Sequence, residues 1–105
     1  MDLPNYQSQI AMFVQTFDLE TGVEARLLDL VSEIGELAKE VLQGSDYGAS
    51  EYTQTPKWEA ELADIFFSLI CLANSTNINL EDALEKSIKK YQQRMNETGD
   101  IGSGK

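Results

Sequence analysis

Residues 23 to 43 have the pattern that most restricts how this chain can fold, because their apolar and acidic side chains separate at helical spacing. One face is apolar and consists of Leu27, Leu28, Leu30, Val31, Ile34, Leu37, Ala38, Val41 and Leu42. The other face is acidic and consists of Asp29, Glu33, Glu36 and Glu40. A helix of this kind packs its apolar face against other elements. The pattern therefore predicts a long amphipathic helix that ends near Gly44 in a helical domain.

Three other segments also predict helices. They cover residues 4–17, 56–74 and 79–96. Pro4 suits the first turn of the first helix, and Asn79 is a suitable N-cap for the last. The third helix contains a nearly continuous apolar run, which predicts burial on all sides, although the β-propensity of Ile65, Phe66 and Phe67 favours a strand there. The predicted fold is all-α, with four helices in one domain over residues 1–96 and a flexible tail over residues 97–105.

The segment between the second and third helices predicts an irregular connection. Residues 44–56 include two glycines, a proline and several small polar residues, which argue against regular structure. A connection of this length is long for a helical hairpin and is often functional. Tyr47 and Tyr52 could cover a ligand there, or they could simply anchor the connection.

Two acidic pairs are the main candidate for a functional site. Glu33 and Glu36 lie on one face of the second helix, and Glu61 and Asp64 lie on one face of the third, each pair three residues apart. Four carboxylates at one point repel one another unless a hard cation such as Mg²⁺ or Mn²⁺ neutralises them. Asp64 also immediately precedes the apolar run, where a charge needs a partner. The pairs are either a divalent metal site or two solvated helix faces.

The basic residues allow two interpretations as well. Lys86, Lys90 and Arg94 follow one another at spacings of four and share one face of the last helix. Lys57 lies one helical turn before Glu61. These side chains could contact the phosphates of a substrate, or they could only pair with neighbouring acids and keep the surface soluble.

Composition excludes several classes of function. The chain has 105 residues and a formal net charge of −10, so nucleic acids and anionic membranes are not expected partners. It has no histidine, which excludes a Ser–His–Asp or Cys–His site within the chain. The single cysteine, Cys71, lies in the apolar run and is expected to be a buried hydrophobic residue. There is no visible signal peptide and no run of about 20 apolar residues, so we expect a soluble, cytoplasmic protein.

Four short motifs occur in an order that resembles the MazG-like nucleoside triphosphate pyrophosphohydrolases. They are Ser32-Glu33-Ile34-Gly35-Glu36-Leu37, Glu61-Leu62-Ala63-Asp64-Ile65-Phe66, Asn79-Leu80-Glu81-Asp82-Ala83-Leu84 and Lys90-Tyr91-Gln92-Gln93-Arg94-Met95. The resemblance extends over about residues 23–95. It implies a MazG-like helical bundle completed by oligomerisation, as a dimer or tetramer. It also implies Mg²⁺-dependent hydrolysis of (d)NTP to (d)NMP and pyrophosphate, often to remove non-standard nucleotides.

Residue roles follow from the resemblance position by position. The metal ligands are expected to be Glu33, Glu36, Glu61 and Asp64, with Glu33 and Glu36 also catalytic. The phosphate contacts are expected to be Lys57, Lys86, Lys90 and Arg94. The aromatic residues that could contact the base are Phe13, Phe17 and Trp58, although a place in the core is the favoured interpretation of these residues. Ser32 occupies a position where the family often has another glutamate that can act as the base. Three alternatives follow: a metal-bound hydroxide reacts unaided, Glu33 or Glu36 takes a second role, or the activity is low.

Two alternatives to this function stay open. One is the related phosphoribosyl-ATP pyrophosphohydrolase, which has the same helical superfamily fold. The other is a non-enzymatic helical module for oligomerisation or regulation, whose acidic pairs bind only metal or water. The sequence does not indicate which base or sugar is preferred.

Overall fold

The chain forms four helices in the computed structural model, which describes residues 1–102. The helices are α1 (Leu3–Thr16), α2 (Val23–Gly44), α3 (Trp58–Ser75) and α4 (Leu80–Thr98). There is no strand among the described residues, so the all-α prediction is confirmed and the strand alternative within α3 is wrong. Residues 103–105 of the predicted tail lie outside the described part of the chain.

Local capping explains where the helices begin and end. The side chain of Asp2 accepts a hydrogen bond from Asn5 N–H at α1, and Asn79 accepts one from Asp82 N–H at α4, as its predicted N-cap role requires. Helix α4 runs two residues farther than predicted. It ends because Gly99 adopts a left-handed conformation with φ of 73° and donates its N–H to Met95 C=O.

Packing centres on α3, which contacts α2 along one side and α1 along another. Helices α2 and α3 are antiparallel, because Glu33 meets Glu61 while Arg26, earlier in α2, meets Cys71, later in α3. The buried side chain of Gln7 then holds α1 over the turn between α3 and α4. Its Nε2 donates to Asn74 Oδ1 and to Ile78 C=O, and its Oε1 accepts from Leu80 N–H at 2.8 Å.

The connection of residues 45–57 returns directly over the end of α2. Thr53 N–H donates to Gly44 C=O at 2.8 Å, and a Cβ on Gly44 would lie 2.5 Å from the carbonyl oxygen of Thr53. Only glycine permits this approach. Tyr52 packs its ring on Trp58 at 5.5 Å between centroids, so this tyrosine anchors the connection, whereas Tyr47 is exposed.

The isolated chain is open rather than closely packed. Its radius of gyration is 17.0 Å, compared with about 13 Å for a compact domain of this length. The buried apolar side chains of the described residues are Ile70, Cys71 and Ala73. The prediction that the apolar run of α3 is buried on all sides is wrong, because Phe66 is 47% exposed and Phe67, although it meets Phe13 of α1, is still 36% exposed.

Helix α4 has an uncovered apolar face. Its main contact is with α1, and the side chains of Leu84, Ile88, Tyr91 and Met95 are exposed by 41–55%. No helix in residues 1–102 combines the length and the hydropathy that crossing a membrane requires.

Candidate metal and substrate site

Three carboxylates meet where α2 crosses the first turns of α3. Glu33, Glu61 and Asp64 each offer an oxygen, and these oxygens lie within 4.8 Å of one another. Glu33 and Glu61 are partly buried between the two helices and Asp64 is exposed. The structure therefore brings one carboxylate of the first acidic pair together with both carboxylates of the second. We call Glu33, Glu61 and Asp64 the three-carboxylate cluster.

The fourth predicted ligand, Glu36, lies outside this cluster. Its side chain turns toward solvent and pairs with Lys39, with Oε1 and Nζ 3.5 Å apart. Both side chains are more than half exposed, so this pair contributes little to stability. Glu36 is one helical turn from Glu33, and its charge still acts on Glu61, whose pKa it raises.

Negative charge accumulates at Glu61. Partial desolvation raises the pKa of Glu61 above its ordinary value, and nearby carboxylates raise it further. In order of effect these are Asp64, Glu33, Glu36 and Glu40. No cation is among the charges that act on the Glu61 pKa. These neighbouring carboxylates concentrate negative charge and offer oxygen ligands. They therefore suit a hard divalent cation such as Mg²⁺ or Mn²⁺.

Glu40 is a feature of the site that sequence reasoning missed. Its side chain is only 6% exposed, and Thr55 Oγ1 donates a hydrogen bond to its Oε1 at 2.6 Å. The bond joins the end of the 45–57 connection to the acidic face of α2. The regular acidic spacing did place Glu40 on this face, but a pattern of spacings contains no signal for a donor fifteen residues away.

No ion pair within residues 1–102 joins the predicted phosphate contacts to the three-carboxylate cluster. Lys90 Nζ lies 4.8 Å from the centre of the Tyr91 ring, and Arg94 Cζ lies 5.8 Å from it, so both flank one aromatic side chain on α4. Arg94 also donates to Ile101 C=O. Lys86 is on the same exposed side of α4. Lys57 occupies the N-cap position of α3, and its carbonyl accepts from Glu61 N–H.

The three aromatic residues proposed to contact a base separate into two groups. Phe13 packs on Phe17 at 4.9 Å and on Phe67 at 6.1 Å between ring centroids. We call these three residues the aromatic cluster, and Phe17 remains largely exposed in it. Trp58 belongs instead to the packing of the 45–57 connection, where it meets Tyr52.

Comparison with known proteins agrees with this arrangement of helices. Residues 21–98 match the model of the MazG nucleotide pyrophosphohydrolase domain, which covers more than half of the chain and includes both acidic pairs. The chain belongs to the MazG family. The resemblance seen in the sequence motifs is thus confirmed, and the enzyme class that it implies is that of a nucleotide pyrophosphohydrolase.

Relatives of this MazG chain show the same fold. A crystal structure of the Bacillus-conserved MazG protein, a nucleotide pyrophosphohydrolase, has a TM-score of 0.73 and 32% identity. That match covers 87% of this chain and 89% of the other. The crystal structure of YpjD from Bacillus subtilis also has a TM-score of 0.73 and 32% identity, covering 87% of this chain and 95% of that one. In sequence, the uncharacterized protein YpjD is 38% identical over 71 residues, which span 67% of this chain and 64% of YpjD.

Ser32 immediately precedes Glu33 and is exposed on α2. The first acidic motif of this chain therefore has no carboxylate directly before Glu33. The nearest additional carboxylates on the same helix are those of Asp29 and Glu40, one turn beyond Glu33 and Glu36 respectively.

Proposed function

We propose that this MazG protein is a Mg²⁺-dependent nucleoside triphosphate pyrophosphohydrolase that converts (d)NTP and water to (d)NMP and pyrophosphate. Mn²⁺ is expected to substitute for Mg²⁺. The observation that carries the proposal is the meeting of Glu33, Glu61 and Asp64 within 4.8 Å, where neighbouring carboxylates raise the pKa of Glu61. Removal of non-standard nucleotides in the cytoplasm is the biological role that we propose for this activity.

The carboxylates of the chain have distinct tasks in this proposal. Glu33, Glu61 and Asp64 would hold the cation, and Glu36 would complete the set after its side chain leaves Lys39. Bound there, Mg²⁺ supplies a more acidic water and neutralises triphosphate charge. Glu33 or Glu36 accepts the proton of the attacking water, because Ser32 is a poor base and the chain has no histidine. The water oxygen attacks the α-phosphorus, and the bond to the pyrophosphate oxygen breaks.

The positive charge for the departing pyrophosphate comes, in our proposal, from a second copy of the chain. Lys86, Lys90 and Arg94 are on α4, whose main contact within the chain is α1 rather than the helices of the acidic pairs. The apolar face of the same helix is uncovered. Packing α4 against another copy would bury this face and could bring the basic residues to the partner's carboxylates. Lys57, at the N-terminus of α3, is the candidate phosphate contact nearest to Glu61 in sequence.

Self-association can be measured directly. We expect a dimer or tetramer by light scattering at micromolar concentration, because burial of apolar surface is the main favourable term in association. Ile88→Glu would place a charge on the exposed apolar face of α4 and should shift the mass to the monomer. Lys89→Glu changes the charge by a larger amount on the same helix and should leave the mass unchanged. A monomeric wild-type protein would contradict this part of the proposal.

The activity is tested with a panel of canonical and modified dNTPs and NTPs in the presence of Mg²⁺. Formation of monophosphate together with pyrophosphate supports the proposal, and Glu36→Gln should remove turnover while the circular dichroism spectrum is unchanged. Absence of turnover with every nucleotide contradicts the enzymatic function. Hydrolysis of phosphoribosyl-ATP alone would identify the related histidine-pathway activity. A non-enzymatic module would show no Mg²⁺-dependent nucleotide binding by calorimetry.

A further inference from the structure

A cavity of about 410 Å³ lies between α1, the start of α2 and the end of α3. Its volume falls in the range of pockets that hold small ligands. Ala11 and Val14 of α1 form one wall, Gly22 and Val23 form another, and Cys71 and Ser75 of α3 close it. None of these residues belongs to the acidic pairs, the basic face of α4 or the aromatic cluster.

The cavity and the three-carboxylate cluster lie along the same faces of α2 and α3, the two helices that carry the cluster. Arg26, in its wall, precedes Glu33 by seven residues on α2, and Cys71 follows Asp64 by seven residues on α3. Seven residues are close to two helical turns, so each pair shares a helix face, with an axial separation of about 10 Å. This separation is similar to the length of a nucleoside measured from its α-phosphate.

The walls combine apolar surface with a small number of polar groups. Arg26 Nη2 donates to Leu19 C=O at 2.6 Å, and its remaining donors make no other hydrogen bond within residues 1–102. The Gly22 N-cap of α2 has no side chain to satisfy the first-turn N–H groups beside the cavity. Glu20 adds a carboxylate acceptor. The cavity thus offers donors and an acceptor next to a surface on which a flat heterocycle can pack.

We propose that this cavity binds the nucleobase and sugar of the substrate, and that Arg26 determines the base preference by donating to a base carbonyl oxygen. The inference rests on the proposed pyrophosphohydrolase function, since the phosphates must be held at the three-carboxylate cluster. A nucleobase fits the cavity better than a second phosphate group does. Glu20 in the wall opposes an anion, and Ala11, Val14 and Val23 provide no partners for phosphate oxygens.

The test compares two variants of the cavity with two controls. Arg26→Met keeps the aliphatic stem and removes the donors, and Ala11→Leu fills the space from an exposed position on α1. Lys89→Met removes one positive charge from α4, remote from the cavity, and Phe17→Leu reduces the aromatic cluster. We expect the KM for the preferred nucleotide to rise about tenfold in Arg26→Met, the effect of losing a hydrogen bond to a charged donor. Ala11→Leu should raise this KM as well, and Lys89→Met should not change it.

Inorganic triphosphate serves as a ligand without a base. Its inhibition constant should be the same in wild-type protein and in both cavity variants, because it contacts only the phosphate site. An unchanged nucleotide KM in both variants overturns the inference. An equal loss of inorganic triphosphate binding also overturns it, since the cavity would then act as an anion site or through the fold. A tenfold KM effect of Phe17→Leu without one in Arg26→Met would assign the base to the aromatic cluster instead.

A failure of the proposed function can be separated from a failure of this inference. If wild-type protein hydrolyses no nucleotide, nucleosides without phosphate are titrated into ¹⁵N-labelled protein in the absence of metal. Saturable shifts at Gly22, Val23 and Ser75 that disappear in Ala11→Leu support the cavity as a nucleoside site. Absence of such shifts with every nucleoside refutes it.

Discussion

Thr55→Val is the substitution whose cost follows most directly from the structure. Valine has nearly the same shape as threonine, so the change removes a hydroxyl without opening a cavity. The hydroxyl donates to Glu40 Oε1 at 2.6 Å, a length typical of a hydrogen bond to a charged oxygen. Glu40 is 6% exposed, so water cannot easily replace the lost donor.

The expected cost is about 2 kcal/mol of the free energy of unfolding, because a buried charged acceptor loses its hydrogen bond. In a domain of this size, that corresponds to a fall of about 10 °C in the midpoint of thermal unfolding. Thr55→Ser keeps the hydroxyl and should recover most of the loss. Thr53→Val, at an exposed position of the same connection, controls for the general effect of valine there.

The measurement is urea unfolding followed by circular dichroism, at one fixed protein concentration because association shifts apparent stability. A double-mutant cycle with Glu40→Leu isolates the interaction between the two side chains. We expect a coupling of at least about 1 kcal/mol. If Thr55→Val costs no more than Thr53→Val, or if the cycle gives no coupling, then the contact does not hold the connection on α2 and the reasoning is refuted.

The remaining predictions concern charge. In metal-free protein, Glu61→Gln should raise the midpoint of thermal unfolding, because it removes a carboxylate that its neighbours disfavour. A raised pKa means that the folded protein keeps this proton longer than the unfolded chain, so wild-type stability should fall as pH rises above about 4.5 and through the folded pKa of Glu61. The advantage of Glu61→Gln should therefore grow with pH, and an advantage confined to acidic pH would contradict this explanation. Added Mg²⁺ should stabilise wild-type protein more than Glu61→Gln. Lys90→Met and Arg94→Met should each raise the KM for a nucleoside triphosphate about tenfold, from loss of a charge-assisted hydrogen bond, while Mn²⁺ binding by calorimetry stays unchanged.

The order and extent of the helices were predictable because they depend on local patterns. The apolar spacing in residues 23–43 and the N-cap Asn79 were sufficient to place α2 and the start of α4. Errors arose where burial mattered. The apolar run of α3 was expected to be covered on all sides, yet Phe66 and Phe67 are exposed, because hydrophobicity does not reveal how many neighbours a helix has within one chain.

The candidate site was predictable in part for the same reason. Spacing of three residues places two carboxylates on one helix face, and the antiparallel packing of α2 on α3 then brings Glu33, Glu61 and Asp64 together. The orientation of Glu36 toward Lys39 depends on a rotamer that spacing does not determine. The burial of Glu40 depends on the return of the 45–57 connection, which brings Thr55 to α2.

By itself, the sequence determined four helices, their charged and apolar faces, and membership of a family with acidic motifs at these spacings. These properties are local, because one turn of helix relates a residue only to neighbours three and four positions away. The tertiary structure decided which carboxylates meet, that α4 packs mainly on α1, and that a cavity opens beside Arg26. These properties depend on contacts between residues far apart in the chain, such as Gln7 with Asn74. Such contacts set the angle and the offset between two helices, which cannot be read from the sequence of either helix alone.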